Sequence, residues 1–200
     1  MLLYLIRHGE KATKTENVMH IELTPKGFRQ ADLLGNRLAG EGIQRIYSSD
    51  MTRALQTAQT INVRLRVPLE VRAGLREIDM GDCDALGWEQ AYARHPEFRE
   101  AFERHEIDMP YPNGESGADV WNRAGQVFME ILEAGLERAA VVAHGGTIRC
   151  ILCGTLGLPQ VRRFFLGNPP EHCGISILQY GNGHYYLQSF NDYTHLGDCR

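Results

Sequence analysis

Two histidines occupy the same local pattern at distant points of the chain. His8 follows the apolar run at 2–6, His144 follows the apolar run at 139–143, and a glycine comes directly after each histidine. Both runs predict short buried strands. Because ligands bind at the carboxyl ends of the strands in parallel α/β sheets, adjacent strands would bring both imidazoles into one crevice.

Two arginines and a loop–helix junction add positive character to this crevice. Arg7 directly precedes His8, and Arg53 lies at the start of a predicted helix. Planar guanidinium groups match phosphate oxygens in pairs. Free backbone N–H groups at 145–147, where another helix is expected to begin, also attract anions. The combination predicts a pocket for one dianionic phosphoryl group.

Hydrolysis of a phosphate ester in such a pocket needs a nucleophile and a proton donor. Neutral imidazole is a competent nucleophile near neutral pH, which favours a histidine for the first role. Glu77 is the candidate acid that protonates the leaving alkoxide, with Asp79, Asp82 and Asp84 as nearby rivals. The local pattern fits Glu77 equally well as an ordinary loop carboxylate.

The elements that would position these residues alternate between strands and helices. Strands are expected at 2–6, 43–47, 68–71 and 139–143, a hairpin at 174–190, helices from Pro25, Met51, Ala118 and Thr147, and further helix at 87–105 cut at Pro96. Thr24 is the predicted cap of the first helix, and Ser48-Ser49-Asp50 that of the second. This alternation predicts a three-layer α/β/α sandwich with a mostly parallel central sheet, to which the C-terminal hairpin adds antiparallel pairing. We expect one domain over 1–200, with 77–117 as a helical, cap-like insertion over the site.

Longer motifs extend this pattern along the chain. In order, they are Arg7-His8-Gly9-Glu10, Leu23-Thr24-Pro25-Lys26-Gly27, Ser48-Ser49-Asp50-Met51-Thr52-Arg53-Ala54, Leu75-Arg76-Glu77, Gly114-Glu115-Ser116 and His144-Gly145-Gly146-Thr147-Ile148-Arg149. This ordered set resembles the histidine phosphatase superfamily, which has the phosphoglycerate-mutase-like fold. The tail at 191–196 is similar to that of its small bacterial phosphatases, such as alpha-ribazole phosphatase.

The resemblance implies a role for each matching residue. His8 would become phosphorylated, and Glu77 would act first as the general acid and then as the base that activates water. The groups that would bind the phosphoryl group are Arg7, Arg53, His144 and the backbone of Gly145. The resemblance implies no metal and no other cofactor.

The chain departs from the family pattern at two positions after Arg-His-Gly-Glu. Relatives usually carry Ser or Thr and then, three residues later, Asn, whereas this chain has Lys11 and Lys14. We hypothesise that Lys11 or Lys14 adds positive charge at the mouth of the pocket. Two solvated loop lysines explain the same residues equally well.

The leading interpretation is a phosphatase that acts on a small phosphorylated metabolite. The first alternative is a cofactor-dependent phosphoglycerate mutase, although the chain lacks the longer internal insertion typical of true mutases. The second is a phosphoprotein phosphatase. A non-catalytic phosphate-binding protein is the third alternative, and the complete set of five candidate side chains argues against it.

Composition limits the partners and the location that we expect. The formal net charge is −4, from 21 basic and 25 acidic residues, which argues against nucleic acid as a partner because phosphate backbones attract a basic surface. No apolar run approaches the length of a membrane span. Five scattered cysteines, with no export signal in view, favour reduced thiols in a cytoplasmic protein. The sequence leaves a homodimer open.

Overall fold

A mixed sheet of six strands forms the centre of the part of the chain that the computed structural model describes, residues 1–13 and 17–200. The strands are β1 (Leu2–Arg7), β2 (Arg45–Ser48), β3 (Leu69–Val71), β4 (Arg138–Ala143), β5 (Ile175–Gly181) and β6 (His184–Asp192). Their order across the sheet is β3-β2-β4-β1-β5-β6. The first four strands run parallel to one another, and β5 and β6 add antiparallel pairing next to β1. The predicted mixed sheet is confirmed.

Helices cover both faces of this sheet. They are α1 (Pro25–Leu38), α2 (Thr52–Leu65), α3 (Asp82–Ala85), α4 (Trp88–Arg94), α5 (Pro96–Arg104), α6 (Gly117–Glu133) and α7 (Gly145–Thr155), with 3-10 turns at Val18–His20, Ala73–Leu75, Gln160–Phe165 and Thr194–Cys199. Successive side chains of a strand point to opposite faces. Leu5 therefore packs in a core with α6 and α7, whereas Ile6 packs in a second core with α1 and α2. These two cores produce the predicted three-layer sandwich.

The helix starts agree with the sequence in one case and differ in two. The hydroxyl of Thr24 accepts the backbone N–H of Gly27, so Thr24 caps α1 as expected. The cap interpretation of 48–50 is wrong, because α2 begins after Met51 without a side-chain cap. Helix α7 begins at Gly145, two residues earlier than predicted, directly after the strand-end histidine.

The segment 77–117 contains three short helices and has a small core of its own. The predicted break at Pro96 is confirmed, since α4 ends at Arg94 and α5 begins at Pro96. Buried Phe98 and Tyr111 pack in a cluster that also includes Val120 of α6 and Cys150 of α7. The segment is therefore anchored to the sandwich by apolar contacts, and its role as a cap stays a prediction.

Two smaller features of the chain also follow from its local sequence. Strands β5 and β6 are joined at Asn182 and Gly183, which both have positive φ (53° and 78°), the conformation that tight hairpins favour. Cys150 and Cys153 are buried thiols within α7, as expected for core cysteines.

Across residues 1–13 and 17–200, no helix is both long enough and apolar enough to cross a bilayer.

Candidate active site

The pairing of β1 with β4 brings the two strand-end histidines together. Arg7 lies opposite Ala143 in the parallel register, and the backbone N–H of His8 donates to the carbonyl of Ala143 at 3.0 Å. The ring centroids of His8 and His144 are 5.1 Å apart. Both side chains are buried, at 2% and 0% exposure. The predicted crevice therefore contains both imidazoles.

One hydrogen bond determines which nitrogen of His8 can react. Nδ1 of His8 lies 2.7 Å from the carbonyl oxygen of Gly9. A carbonyl can only accept, so Nδ1 carries the proton and Nε2 carries the lone pair. Nε2 accepts from Nε of Arg53 at 3.2 Å, which agrees with this tautomer. The nucleophilic atom of His8 thus points toward a guanidinium group.

Ser49 orients the second histidine. Its hydroxyl oxygen lies 2.9 Å from Nε2 of His144 and also accepts the backbone N–H of Met51 at 3.2 Å. A hydroxyl donates one hydrogen bond and can accept two, so the tautomer in which Ser49 donates to Nε2 is the one that places the ring proton of His144 on Nδ1. This Nδ1 is buried and has no hydrogen-bond partner among the described residues. In that tautomer it is a donor available to an anion.

The two arginines contribute further donors at the same place. Arg7 donates from Nη1 to the carbonyl of Pro170 at 2.6 Å, while its buried Nε has no partner among the described residues. Arg53 is 4% exposed and donates from Nη1 to the carbonyl of Val18 at 2.9 Å. Unpaired buried donors are costly without a partner. Arg7 Nε and His144 Nδ1 together indicate a site that an anion completes.

Burial keeps both histidines in the neutral form. Desolvation lowers the pKa of His8 well below its usual value, and the nearby charge of Arg53 lowers it further. Desolvation likewise lowers the pKa of His144, with His8 as the next contribution. At neutral pH, His8 is therefore an unprotonated imidazole, the form that attacks phosphorus.

Glu77 lies at the N-terminus of α7, where backbone N–H groups attract negative charge. Its Oε1 accepts the N–H of Thr147 at 3.0 Å and that of Ile78 at 3.0 Å, and its Oε2 accepts the N–H of Gly146 at 3.3 Å. The anion-attracting amides at 146 and 147, which the sequence analysis assigned to substrate, thus bind the side-chain oxygens of Glu77. Gly145 remains at the first position of α7, where a Cβ atom would lie 3.6 Å from Arg7 Nε.

A cavity of about 900 Å³ lies against several of these groups. Arg7, His8, Arg53 and Glu77 line it, and Met19, Ile21, Met51, Ile78 and Met80 supply apolar wall. Lys11 also lines the cavity, and partial burial followed by the charge of Arg53 lowers its pKa. Lys14 lies outside the described residues. The cavity therefore brings five of the predicted side chains together, and His144 lies next to one of them, His8.

The sequence analysis missed the place of His172. Its ring centroid lies 5.7 Å from that of His8, and burial followed by the charge of Arg7 lowers its pKa to about 4. One signal was present: His172 comes just before a strand that pairs antiparallel with β1. The start of such a strand lies beside the carboxyl end of its partner, where His8 stands.

The histidines of the site do not form part of a metal-binding cluster among the described residues. Within residues 1–13 and 17–200, no group of three or more His, Cys, Asp or Glu side chains is arranged to hold a metal ion. The histidines instead contact guanidinium, hydroxyl and carbonyl groups. The fold and these contacts define the class as an α/β sandwich protein with an imidazole and guanidinium site suited to phosphoryl groups.

Comparison with known proteins identifies the family. The family model of the histidine phosphatase superfamily (branch 1) matches residues 3–193. The chain therefore belongs to the histidine phosphatase superfamily, and the resemblance seen in the sequence motifs is confirmed. Its relatives are phosphatases or mutases, which agrees with an enzyme that acts on phosphate monoesters.

Three similar proteins illustrate the range within this superfamily. "Probable phosphoglycerate mutase GpmB" of Proteus mirabilis is 31% identical, over 98% of this chain and 95% of its own. The structure of a mycobacterial glucosyl-3-phosphoglycerate phosphatase is 28% identical with a TM-score of 0.83, covering 95% of this chain and 98% of its own. That of a phosphoserine phosphatase from Entamoeba histolytica is 28% identical with a TM-score of 0.79, covering 98% of both chains.

Proposed function

We propose that the chain hydrolyses phosphate monoesters of small molecules through a phosphohistidine on His8, without a metal ion. The observation that carries this proposal is the state of His8. Its proton is directed to the carbonyl of Gly9, and its lone pair on Nε2 faces the cationic end of the cavity. A neutral nucleophile beside cationic groups and unpaired donors is what attack on a phosphoryl dianion requires.

The first half of the reaction transfers the phosphoryl group to His8. As the ester binds, Arg53 exchanges its bond with Nε2 for a bond to a phosphoryl oxygen, while Arg7, His144 and the backbone of Gly145 hold the other oxygens. Nε2 attacks phosphorus, the bond from phosphorus to the ester oxygen breaks, and protonated Glu77 gives its proton to the leaving alkoxide.

The second half releases phosphate. Glu77, now a carboxylate, takes a proton from a water molecule that attacks the phosphorus of phosphohistidine. The bond from phosphorus to Nε2 breaks, and His8 returns to its neutral form with its proton still on Nδ1. The hydrogen bond from Nδ1 to Gly9 keeps the ring in one orientation throughout both halves.

The test is a phosphate-release screen over sugar phosphates, nucleotides, phosphoglycerates, phosphoserine and alpha-ribazole phosphate. We expect steady release from at least one ester in the presence of a chelator. Rapid quenching in alkali should trap radiolabelled phosphate on the wild-type chain and not on His8→Ala. Turnover that needs an added metal ion, or label that persists on His8→Ala, would overturn the proposal.

A phosphoglycerate mutase is the second candidate, because the similar protein of Proteus mirabilis is named a probable phosphoglycerate mutase. A mutase passes the phosphoryl group to a second hydroxyl, whereas a phosphatase passes it to water. Incubation with bisphosphoglycerate and monophosphoglycerate separates the two activities. Interconversion without phosphate release would favour the mutase. A third candidate, a phosphoprotein phosphatase, would release phosphate from a phosphopeptide while leaving the small esters intact.

We propose that Lys11 or Lys14 adds positive charge at the mouth of the cavity. The position of Lys11 on the cavity wall supports Lys11 in this role, and Lys14 lies outside the described residues. Lys11→Ala and the double variant Lys11→Ala with Lys14→Ala should raise KM for esters that carry a second anionic group. An unchanged kcat/KM for every ester in the screen would rule this out.

A further inference from the structure

We propose that Arg123 and Glu115 are positioning residues for the reaction, because together they hold the short stretch of main chain that carries Glu77. The proposal rests on the function proposed above. Neither side chain belongs to the group of histidines and arginines around the phosphoryl position, and both come from outside the loop itself. Arg123 lies on α6, and Glu115 lies just before it.

Arg123 donates to three backbone carbonyls in the segment that ends at Glu77. Its Nη1 donates to the carbonyls of Gly74 and Arg76, both at 2.8 Å, and its Nη2 donates to the carbonyl of Glu77 at 3.1 Å. One planar guanidinium group therefore holds three carbonyls within four consecutive residues. A lysine could not reproduce this fork, since its ammonium group acts as a single point donor.

Glu115 completes the arrangement from the other side. Its carboxylate accepts from Nε and Nη2 of Arg123, each at 2.8 Å, and Oε2 also accepts the backbone N–H of Asp79 at 2.9 Å. The backbone N–H of Glu115 in turn donates to the carbonyl of Asp79 at 2.8 Å. The main chain is thus bound before Glu77 by Arg123 and after it by Glu115.

The loop needs such external support because it has little regular structure. Between the 3-10 turn Ala73–Leu75 and helix α3, the residues that include Glu77 form no helix or strand. A Cβ at Gly74 would lie 2.8 Å from the carbonyl oxygen of Arg123, so the turn also contacts α6 without spare room. Helix α6 therefore sets the position from which Glu77 reaches the leaving oxygen.

The test separates proton transfer from binding. For Arg123→Gln we expect kcat/KM on an alkyl ester such as phosphoserine to fall about 10- to 100-fold, because displacement of a catalytic group by about 1 Å can cost that much. With 4-nitrophenyl phosphate, whose leaving group needs little protonation, kcat/KM should be nearly unchanged, because it reports only the steps up to transfer of the phosphoryl group to His8 and not the later attack by water. Inhibition by vanadate, which reports on the phosphoryl pocket, should also be unchanged.

Two further variants keep the result interpretable. Arg64→Gln, which removes an exposed arginine paired with Asp32, is the matched control and should behave as wild type. Glu115→Gln keeps an oxygen acceptor for the N–H of Asp79, and we expect the same selective loss with a smaller size. It remains informative if Arg123→Gln does not fold.

A double variant decides whether Arg123 acts through Glu77. In a Glu77→Gln background, Arg123→Gln should cause no additional loss on the alkyl ester, because the group that it positions is already inactive. Equal losses on both esters, or full additivity with Glu77→Gln, would overturn the proposal. Failure of the proposed function is seen separately, as a wild-type chain without phosphate release or an active His8→Ala variant.

Discussion

The strand-end histidines and the Glu77 loop contribute to the same site but are held in different ways. His8 and His144 follow β1 and β4, whose parallel register is formed by main-chain hydrogen bonds. Glu77 stands in an irregular loop, and side chains from α6 and the amides of α7 determine its position. The nucleophile is therefore part of the sheet, whereas the acid is supported by helices that pack on one face of it.

This difference suggests that main-chain pairing positions the phosphoryl-binding groups, whereas side-chain contacts position the acid. A nucleophile and its anion-binding donors must be preorganised, because their electrostatic contribution depends on exact placement. The acid must instead reach leaving oxygens on alcohols of different shape. Glu77 is bound to the N-terminus of α7 in the present structure, and Arg123 and Glu115 hold the loop from which it extends.

The largest expected effect is the loss of kcat when His8, which follows strand β1, is replaced. His8→Ala should lower kcat by at least about 10⁴-fold, since loss of a nucleophile removes the covalent route. Phosphate release with a saturating ester is the measurement. His184→Ala, at the exposed start of β6, is the control and should retain wild-type activity. Substantial turnover by a folded His8→Ala variant would remove the basis of the comparison.

The next effect concerns the acid itself. Glu77→Gln should lower kcat/KM on alkyl esters, which reports the steps up to phosphoryl transfer, by about 10²- to 10⁴-fold, the usual range for general acid catalysis. The loss should shrink as the leaving group becomes more acidic, which a series of aryl phosphates measures. Equal losses across the series would show that Glu77 binds substrate rather than protonating the leaving group.

A smaller effect on kcat is expected from a substitution at Gly146, where helix α7 contacts the side chain of Glu77. A Cβ at Gly146 would lie 2.7 Å from Oε1 of Glu77 and 2.8 Å from Cγ2 of Ile78, so Gly146→Ala must displace the carboxylate. We expect about a 10-fold loss of kcat on alkyl esters with vanadate inhibition unchanged. Gly40→Ala is the matched control, because no atom lies within 4 Å of its added Cβ.

The smallest expected effect is on the free energy of unfolding, and it comes from the buried histidines whose pKa values are lowered. His172 is expected to bind a proton near its ordinary pKa of 6.5 when unfolded but only near about 4 when folded. Between these values the unfolded chain binds more protons, so the free energy of unfolding falls as the pH is lowered. The loss is about 1 kcal/mol for one such histidine at pH 5.5, and His8 and His144 act in the same direction.

Urea unfolding at several pH values measures this effect. His172→Gln removes one titrating group and should flatten the fall in stability between pH 7 and pH 5. His184→Gln, on the exposed start of β6, should leave the wild-type profile unchanged. If His172→Gln has the wild-type profile, the depressed pKa of His172 does not contribute to the acid sensitivity of the histidine region.

Local pattern was enough for most of the fold. Short apolar runs identified the central strands, Thr24 and Pro25 identified the start of α1, and Asn182-Gly183 identified the hairpin. Each signal depends on the conformational preference of a few neighbouring residues, which survives in the folded chain. The interpretation of 48–50 as a cap failed because α2 begins only after Met51, and the hydroxyl of Ser49 instead contacts the N–H of Met51 and the distant His144.

Local pattern could not show which carboxylate is the general acid. Four carboxylates lie within 77–84, and local pattern did not rank them. In the structure, Asp79 accepts the N–H of Gly81 within its own turn, and Asp82 binds His95 and Asn113. Glu77 alone among these three accepts the amides of α7. The family resemblance indicated Glu77, and the contacts give the physical reason.

By itself, the sequence determined the strands, their helices and the two histidines that end β1 and β4, because short-range periodicity and turn chemistry encode these features. Only the tertiary structure decided that Ser49 orients His144, that His172 lies beside His8, and that Arg123 holds the Glu77 loop. These contacts join residues that are far apart in the chain. They depend on how the layers pack, and no local pattern records that.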